Sequence, residues 1–143
     1  MRLDKQAMTT ILLPALAHMA LTLCLYAWLT VARARAVKSR QVPWNAYEFA
    51  GHEPPKVARI TRNLANQFEL PLFFYISVLA LLQRGAVTQW DVILAWVFVL
   101  GRVLHTLVQT LTDNVPLRGW VFMLNSLAVT GLIGHLAYVV IRP

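Results

Sequence analysis

Long apolar runs, separated by short segments rich in charge, proline or glycine, dominate the pattern along this chain. An α-helix needs about 20 apolar residues to cross a bilayer, and four of the runs are that long. Little apolar sequence remains outside them to build a soluble domain. We therefore predict an all-α, integral membrane four-helix bundle that forms a single domain over residues 1–143. Its helices are expected at about residues 7–35, 57–83, 88–112 and 116–141.

Composition supports the membrane assignment. The chain is 58% hydrophobic and only 13% charged, which is too apolar for a soluble domain of 143 residues. A signal peptide has an apolar core of about 7 to 15 residues, whereas residues 6–32 form a longer run without a charged side chain. We therefore predict that the first run is a retained helix. Cys24 is the only cysteine, so an intrachain disulfide is impossible.

Basic side chains are distributed unevenly across the predicted membrane. Four spans place both termini and the second loop on one side, with four Lys and Arg residues, and the first and third loops on the other, with eight. The positive-inside rule assigns the richer side to the cytoplasm. The net charge of +7 is thus mainly a topology signal. Nucleic acid is not an expected partner, because no basic helix or aromatic platform lies outside the spans.

Four polar side chains form a stripe at the start of the second span: Arg59, Arg62, Asn66 and Glu69. Their separations of three, four and three residues place them within an arc of roughly 80° on one helix face. Charged side chains within a membrane span are costly to bury and usually functional. We expect this stripe to line a functional site.

A second stripe lies on the third span, where Arg102, His105 and Gln109 share an arc of roughly 60°. The helical rise places Glu69 and Arg102 at a similar depth, about 15 to 17 Å from the same membrane surface. This predicts an ion pair between them, within one subunit or across an interface. Removing either partner would then cost about 3 to 5 kcal/mol. The alternative is a purely structural pair that sets helix register.

Other cationic residues converge on the same leaflet. Arg33 ends the first span there, and Arg118 opens the fourth, where helix N-terminal N–H groups also favour an anion. Because these cations surround one obvious buried carboxylate, Glu69, we expect a negatively charged ligand. His18 and His135 have no comparable polar neighbours and are interpreted as helix-packing groups. No metal site is predicted, because no pair of potential ligands has suitable spacing.

Two segments resemble one family of membrane proteins. The run Arg-Asn-Leu-Ala-Asn-Gln-Phe-Glu at residues 62–69, followed by Pro-Leu-Phe at 71–73, is similar to the Arg-x3-Asn-x2-Glu signature of the membrane-associated proteins in eicosanoid and glutathione metabolism, the MAPEG family. Residues 102–109 and 116–118 resemble the family's prostaglandin E synthases. The resemblance covers all four predicted helices. It indicates a bacterial-type member similar to those enzymes and to the microsomal glutathione transferases.

The resemblance implies a homotrimer surrounded by membrane lipids, with glutathione as co-substrate between neighbouring subunits near the cytoplasmic side. It also implies a lipophilic substrate, with glutathione transfer to an electrophile or reduction of a hydroperoxide as the activity. Arg118 would stabilise the glutathione thiolate. The residues that would hold the tripeptide are Arg33, Arg62, Asn66, Glu69, Arg102, His105 and Gln109.

Three positions depart from the family pattern and leave other functions open. Gln109 and Phe122 stand where related enzymes have tyrosines, and Gly119 replaces a serine beside the arginine of the prostaglandin synthase. A non-catalytic lipid-binding or scaffold protein on the same fold is therefore one alternative. A small multidrug transporter with Glu69 in the membrane is another, although the surrounding arginines would repel cationic substrates.

Overall fold

Five α-helices account for most of residues 10–48 and 51–142, which are the residues that this computed structural model describes. A short 3-10 helix, Trp44–Tyr47, lies in the first loop. The second and third of these α-helices together form one span, Pro55–Gln83, and the described residues contain no strand. The prediction of an all-α, four-helix membrane bundle is therefore confirmed. The α-helices are α1 (Leu12–Lys38), α2 (Pro55–Ala65), α3 (Leu70–Gln83), α4 (Gln89–Leu111) and α5 (Val115–Ile141).

Apolar side chains cover the outside of the bundle as well as its inside. Each of the four spans is long and apolar enough to cross a membrane. A surface of this kind is stable against lipid tails and unfavourable in water. The chain is accordingly a multi-pass integral membrane protein. Examples of exposed aliphatic side chains from all four spans are Leu16, Leu23, Leu79, Leu100 and Leu127.

The second span is interrupted, whereas the sequence predicted one continuous helix. Four residues separate α2 from α3. Pro71 has no N–H to donate to the carbonyl of Gln67, and the backbone of Glu69 leaves the helical region with a ψ of −88°. The carbonyl of Asn66, at the end of α2, instead accepts a hydrogen bond from Arg102 at 3.0 Å. A side chain of a neighbouring helix therefore satisfies the backbone at the break.

The interior contains two apolar clusters. One lies in the half of the bundle that carries the second loop and includes a stack of Phe74 on Phe98, with ring centroids 4.4 Å apart. The other packs α1 against α2 through Leu25, Leu29 and Ile60. Buried polar side chains from α1, the second span and α4 lie between these clusters. Along the bundle axis, the core therefore has two apolar layers with a polar layer between them.

A hydrogen-bonded cluster joins α4 to α5 at the second-loop end. Thr88 and Asp91 form a capping box at the start of α4. The buried carboxylate of Asp91 also pairs with His135 on α5, with 2.9 Å between Oδ1 and Nδ1. His135 thus joins two helices, as expected of a helix-packing polar group, although its partner Asp91 was not predicted. α5 returns antiparallel to α4 and brings His135 over the start of that helix.

α4 and α5 pack tightly at Gly101. A Cβ atom on Gly101 would lie 2.0 Å from Oδ1 of Asn125, whose side chain is fully buried. Small residues allow this close approach between helices in membranes. Gly134, also on α5, differs, because a Cβ atom there would meet no atom within 4 Å.

Replacing Gly101 by valine should lower the free energy of unfolding by about 1 to 3 kcal/mol, because the new side chain would overlap Asn125. Thermal unfolding of the purified protein in detergent measures the change. Gly134→Val is the matched control and should shift the midpoint little. Asn125→Ala should recover part of the stability lost in Gly101→Val. Equal destabilisation by the two glycine substitutions would contradict this packing.

Candidate functional site

A network of hydrogen-bonded polar side chains crosses the interior of the bundle from α1 to α4. Polar groups are costly to bury unless they are paired. Each member of the network bonds to at least one other member, so the network links α1, the second span and α4. The members of this buried network are His18, Asn63, Gln67, Arg102, Thr106 and Gln109.

Arg102 carries the charge of the buried network and is fully buried. Its Nε donates to Oε1 of Gln67 at 3.1 Å, and its Nη2 donates to the carbonyl of Asn66 at 3.0 Å. Nη1 has no hydrogen-bond partner among the described residues. Two of the three guanidinium nitrogens are therefore held at the break in the second span.

The predicted ion pair between Glu69 and Arg102 does not form within the described chain, residues 10–48 and 51–142. The break after α2 ends the helical periodicity on which the prediction depended, and Glu69 is exposed. A pair between these residues across a subunit interface stays a prediction.

Gln67 is the centre of the buried network. Its Oε1 accepts from Arg102 and lies 3.0 Å from Nε2 of His18, and its Nε2 donates to Oδ1 of Asn63 at 3.0 Å. The other ring nitrogen of His18 lies 2.7 Å from the hydroxyl of Tyr75. This pattern fits a neutral imidazole that donates from Nε2 and accepts at Nδ1. The prediction that His18 has no comparable polar neighbours is therefore wrong.

Gln109 connects the buried network to a cleft. Its Oε1 accepts from Nδ2 of Asn63 at 3.0 Å and from Nδ2 of Asn66 at 3.2 Å. These two bonds orient the amide group. Its Nε2 forms no hydrogen bond with the part of the chain that the structure describes, and the side chain lines the cleft. Gln109 therefore has N–H donors available on the cleft side.

The cleft has a volume of about 310 Å³ and lies between α2, the end of α4 and the start of α5. We name it the arginine cleft because Arg59, Arg62 and Arg118 line it, together with Gln109 and Asp113. Its volume is near the lower end of the range of about 300 to 1,000 Å³ for small-molecule sites. The fold thus brings Arg62, Gln109 and Arg118, three of the predicted site residues, to one concave surface.

Positive charge exceeds negative charge in the arginine cleft. Arg59 pairs with Asp113 and donates to the carbonyl of Thr112 at 3.1 Å. The guanidinium groups of Arg62 and Arg118 form no hydrogen bond or ion pair with any described residue. A concave surface with two such cations attracts anions.

The local sequence determines the position of Arg118. Asn114 caps α5 by accepting from the N–H of Leu117 at 2.9 Å. Pro116, in the first turn, has no N–H that would need a partner. Arg118 is therefore held near the N-terminus of α5, where the helix dipole adds positive potential to the charge of the guanidinium.

His105 shares the buried face of α4 with Arg102 and Gln109, as the spacing of the second stripe predicts. It does not line the arginine cleft. Its Nδ1 has no partner among the described residues, and its ring centroid lies 6.2 Å from that of Phe122 on α5. Of this stripe, only Gln109 reaches the cleft wall.

Two predicted site residues, Arg33 and Glu69, lie away from the cleft. α1 continues past Arg33 to Lys38, whereas the sequence predicted its end at about residue 35. Arg33 pairs with Glu53 in the first loop and lies over the ring of Tyr47, 5.0 Å from its centroid. Neither Arg33 nor Glu69 lines the arginine cleft of its own chain. Their contact with a ligand across a subunit boundary stays a prediction.

Sequence reasoning missed Asn63, Gln67 and Thr106 as members of the buried network. A signal for them exists in the spacing, because Gln67 follows Asn63 by four residues and Thr106 follows Arg102 by four. Uncharged polar residues at this spacing on two apolar helices predict hydrogen bonds between those helices. Glu69 was instead predicted as the partner of Arg102, because Glu69 is charged and Gln67 is not.

Together these features define an integral membrane four-helix protein with an anion-attracting cleft at the end of the bundle that carries the first and third loops. A profile of the MAPEG family matches residues 11–138, and the chain belongs to that family. Comparisons with curated proteins and with solved structures gave no match. The described residues include no group of three or more His, Cys, Asp or Glu side chains that could hold a metal ion.

Replacing Gln67 by leucine should lower the free energy of unfolding by about 2 to 5 kcal/mol, because Arg102 and His18 both lose a hydrogen-bond acceptor in the interior. Gln67→Glu should cost less, since a carboxylate can accept both bonds. Thermal unfolding in detergent measures both changes. The matched control is Gln83→Leu at the exposed end of α3. Similar unfolding midpoints for Gln67→Leu and Gln83→Leu would contradict a central role for Gln67.

Proposed function

We propose that this protein binds glutathione in the arginine cleft and transfers it to a lipophilic electrophile, or uses it to reduce a lipophilic hydroperoxide. The MAPEG family includes glutathione transferases and peroxidases. The observation that carries the proposal is the pair of cations, Arg62 and Arg118, that line one cleft without a partner among the described residues. A multiply charged anion is the ligand for which such a cleft is suited.

The chemistry of the cleft fits glutathione. The tripeptide has two carboxylates, an ammonium group and two peptide groups. Arg62 and Arg118 can pair with acidic groups, and the Gln109 amide can donate to a peptide carbonyl. The carboxylate of Asp113 is at hand for the ammonium group, although it also pairs with Arg59. With Arg118 reserved for the thiol, the cleft wall therefore offers counterparts for one carboxylate and for the ammonium group.

Arg118 is the residue that we assign to the reacting sulfur. Bound glutathione supplies a thiol, whose thiolate bonds to an electrophilic carbon and displaces its leaving group. With a hydroperoxide, the thiolate attacks an oxygen, the O–O bond breaks and the alcohol leaves, and a second glutathione converts the resulting sulfenic acid to glutathione disulfide and water. The guanidinium of Arg118 and the N-terminus of α5 stabilise negative charge at this place and so lower the pKa of that thiol. Gln109, oriented by Asn63 and Asn66, positions the peptide part. The buried network acts on the site by holding Gln109 in place.

The proposal also includes the subunit arrangement and the residue roles that the family resemblance implies. In a homotrimer with its first and third loops in the cytoplasm, Arg33 or Glu69 of one subunit would approach the cleft of the next. Arg102 and His105 are buried and do not line the cleft of their own chain. We therefore assign them a positioning role. Substrate would arrive from the lipid, because the outer surface of the bundle is apolar.

A second candidate is a non-catalytic lipid-binding or scaffold protein on the same fold. The residues that follow Arg118 on α5 favour it. Gly119 has no side chain, and Phe122 packs near His105 with ring centroids 6.2 Å apart, so neither brings a hydroxyl group to Arg118. Stabilisation of a thiolate would then rest on Arg118 and the helix N-terminus alone.

Calorimetric titration of the detergent-purified protein with glutathione should show saturable binding at millimolar concentration or below. Arg62→Gln should weaken it about 10- to 100-fold, the equivalent of one charge-assisted hydrogen bond of about 1.5 to 3 kcal/mol. Arg84→Gln, in the second loop at the opposite end of the bundle, is the matched control and should bind normally. Absence of binding by the folded wild-type protein would overturn the proposal; lipid binding in that same preparation would favour the scaffold.

Replacing Arg118 by alanine should reduce glutathione conjugation of 1-chloro-2,4-dinitrobenzene by about 10²- to 10³-fold, typical for the loss of one charge-stabilising donor. The remaining rate should rise with pH towards the ordinary thiol pKa of about 8.5, because less thiolate forms at neutral pH without the guanidinium. Steady-state rates from pH 6 to 9, with glutathione binding measured in parallel, test this. Arg84→Ala is the control. Unchanged turnover in a folded Arg118→Ala protein would reject the assignment of Arg118.

A further inference from the structure

A second, larger concavity lies beside the arginine cleft. It has a volume of about 1210 Å³ and lies between the last turns of α1, the start of α2 and the end of α4. We name it the basic groove. Arg59 and Asp113 line both concavities and form the wall between them. The other charged residues of the basic groove belong to it alone: Arg35, Lys38 and Lys56.

The basic groove carries uncompensated positive charge. No side chain of Arg35, Lys38 or Lys56 forms a hydrogen bond or ion pair within residues 10–48 and 51–142. The one carboxylate in its wall, Asp113, is already paired with Arg59. Three cations without a partner on one concave surface favour a negatively charged occupant.

The same groove is apolar further along α1. Trp28 and Val31 line it and are exposed, as is Leu111 at the end of α4. Trp28 precedes Arg35 by seven residues, or two helical turns, so the two side chains lie on the same face about 10 Å apart along the axis. The apolar wall therefore lies deeper in the membrane than the cations. This order of charge and apolar surface matches an amphiphile with an anionic head.

We propose that the basic groove is a binding site for an anionic phospholipid of the surrounding leaflet. Its phosphate lies among Arg35, Lys38 and Lys56, and an acyl chain runs along Trp28 and Val31. Lysine and arginine near the ends of membrane helices attract anionic headgroups, and their aliphatic stems can cover part of the chain. This proposal requires only that the protein is embedded in lipid. It does not depend on the proposed binding of glutathione.

Native mass spectrometry of the detergent-purified protein, titrated with phosphatidylglycerol or phosphatidylcholine, tests the site. Wild-type protein should bind phosphatidylglycerol at least tenfold more tightly than phosphatidylcholine. The triple variant Arg35→Gln, Lys38→Gln and Lys56→Gln should bind both lipids equally. Equal binding of the two lipids by wild-type protein would overturn the proposal.

The matched control removes the same charge outside the groove. The triple variant Arg40→Gln, Arg84→Gln and Arg142→Gln should keep the preference for phosphatidylglycerol, since none of these residues lines the groove. Loss of the preference in the control as well would assign it to net charge and reject the site. Unfolding midpoints of both triple variants verify that they are folded.

The experiment also distinguishes a lipid from other occupants. Soluble glycerol phosphate has the charged head without the chains and should not displace phosphatidylglycerol at millimolar concentration; displacement would overturn the lipid assignment.

Phosphatidylglycerol with brominated chains should quench tryptophan fluorescence less in Trp28→Phe than in wild-type protein, and equal quenching would reject the position of the chain. A changed oligomeric state in the groove variant would show that a second copy of the chain covers this surface.

Discussion

A guanidinium group enclosed by apolar helices must have hydrogen-bond acceptors, and Arg102 finds them where the second span is broken. A continuous helix would use the carbonyl of Asn66 for its own backbone, so the break before Pro71 and the burial of Arg102 depend on each other. Gln67 supplies the other acceptor and is held in turn by Asn63. The packing of α1, α2 and α4 is arranged around this one requirement.

The hydrogen bonding that Arg102 requires also connects the interior with the candidate site. Asn63 contacts Gln67 on one side and Gln109 on the other, so the amide that points into the arginine cleft belongs to the same network as Arg102. Hydrogen bonds shared in this way couple the positions of α1, the second span and α4. The same set of bonds therefore supports a surface on which the guanidinium groups of Arg62 and Arg118 have no partner in the described chain.

The sequence predicted the four spans and the buried face of α4 correctly, because both depend on length and periodicity within uninterrupted apolar runs. The prediction of a Glu69–Arg102 ion pair within one chain was wrong, since periodicity counted from Arg59 does not continue through the break that Pro71 produces. Arg33 was placed at a helix end, but its partner Glu53 is distant in sequence and is brought to it only by the fold of the first loop. That Arg102 bonds to Gln67 and not to Glu69 likewise follows from the tertiary structure and could not be predicted from the sequence.

The wall between the arginine cleft and the basic groove is an exposed ion pair. Asp113 is largely exposed to its surroundings and Arg59 partly so, and pairs of this kind contribute only about 0 to 1 kcal/mol and weaken as salt is added. Arg59 can therefore turn towards an anion on either side at little energetic cost. Any coupling that results between the two concavities must be reciprocal. Ionic strength, through this one side chain, would thus link the proposed ligand of the arginine cleft to the proposed lipid of the basic groove.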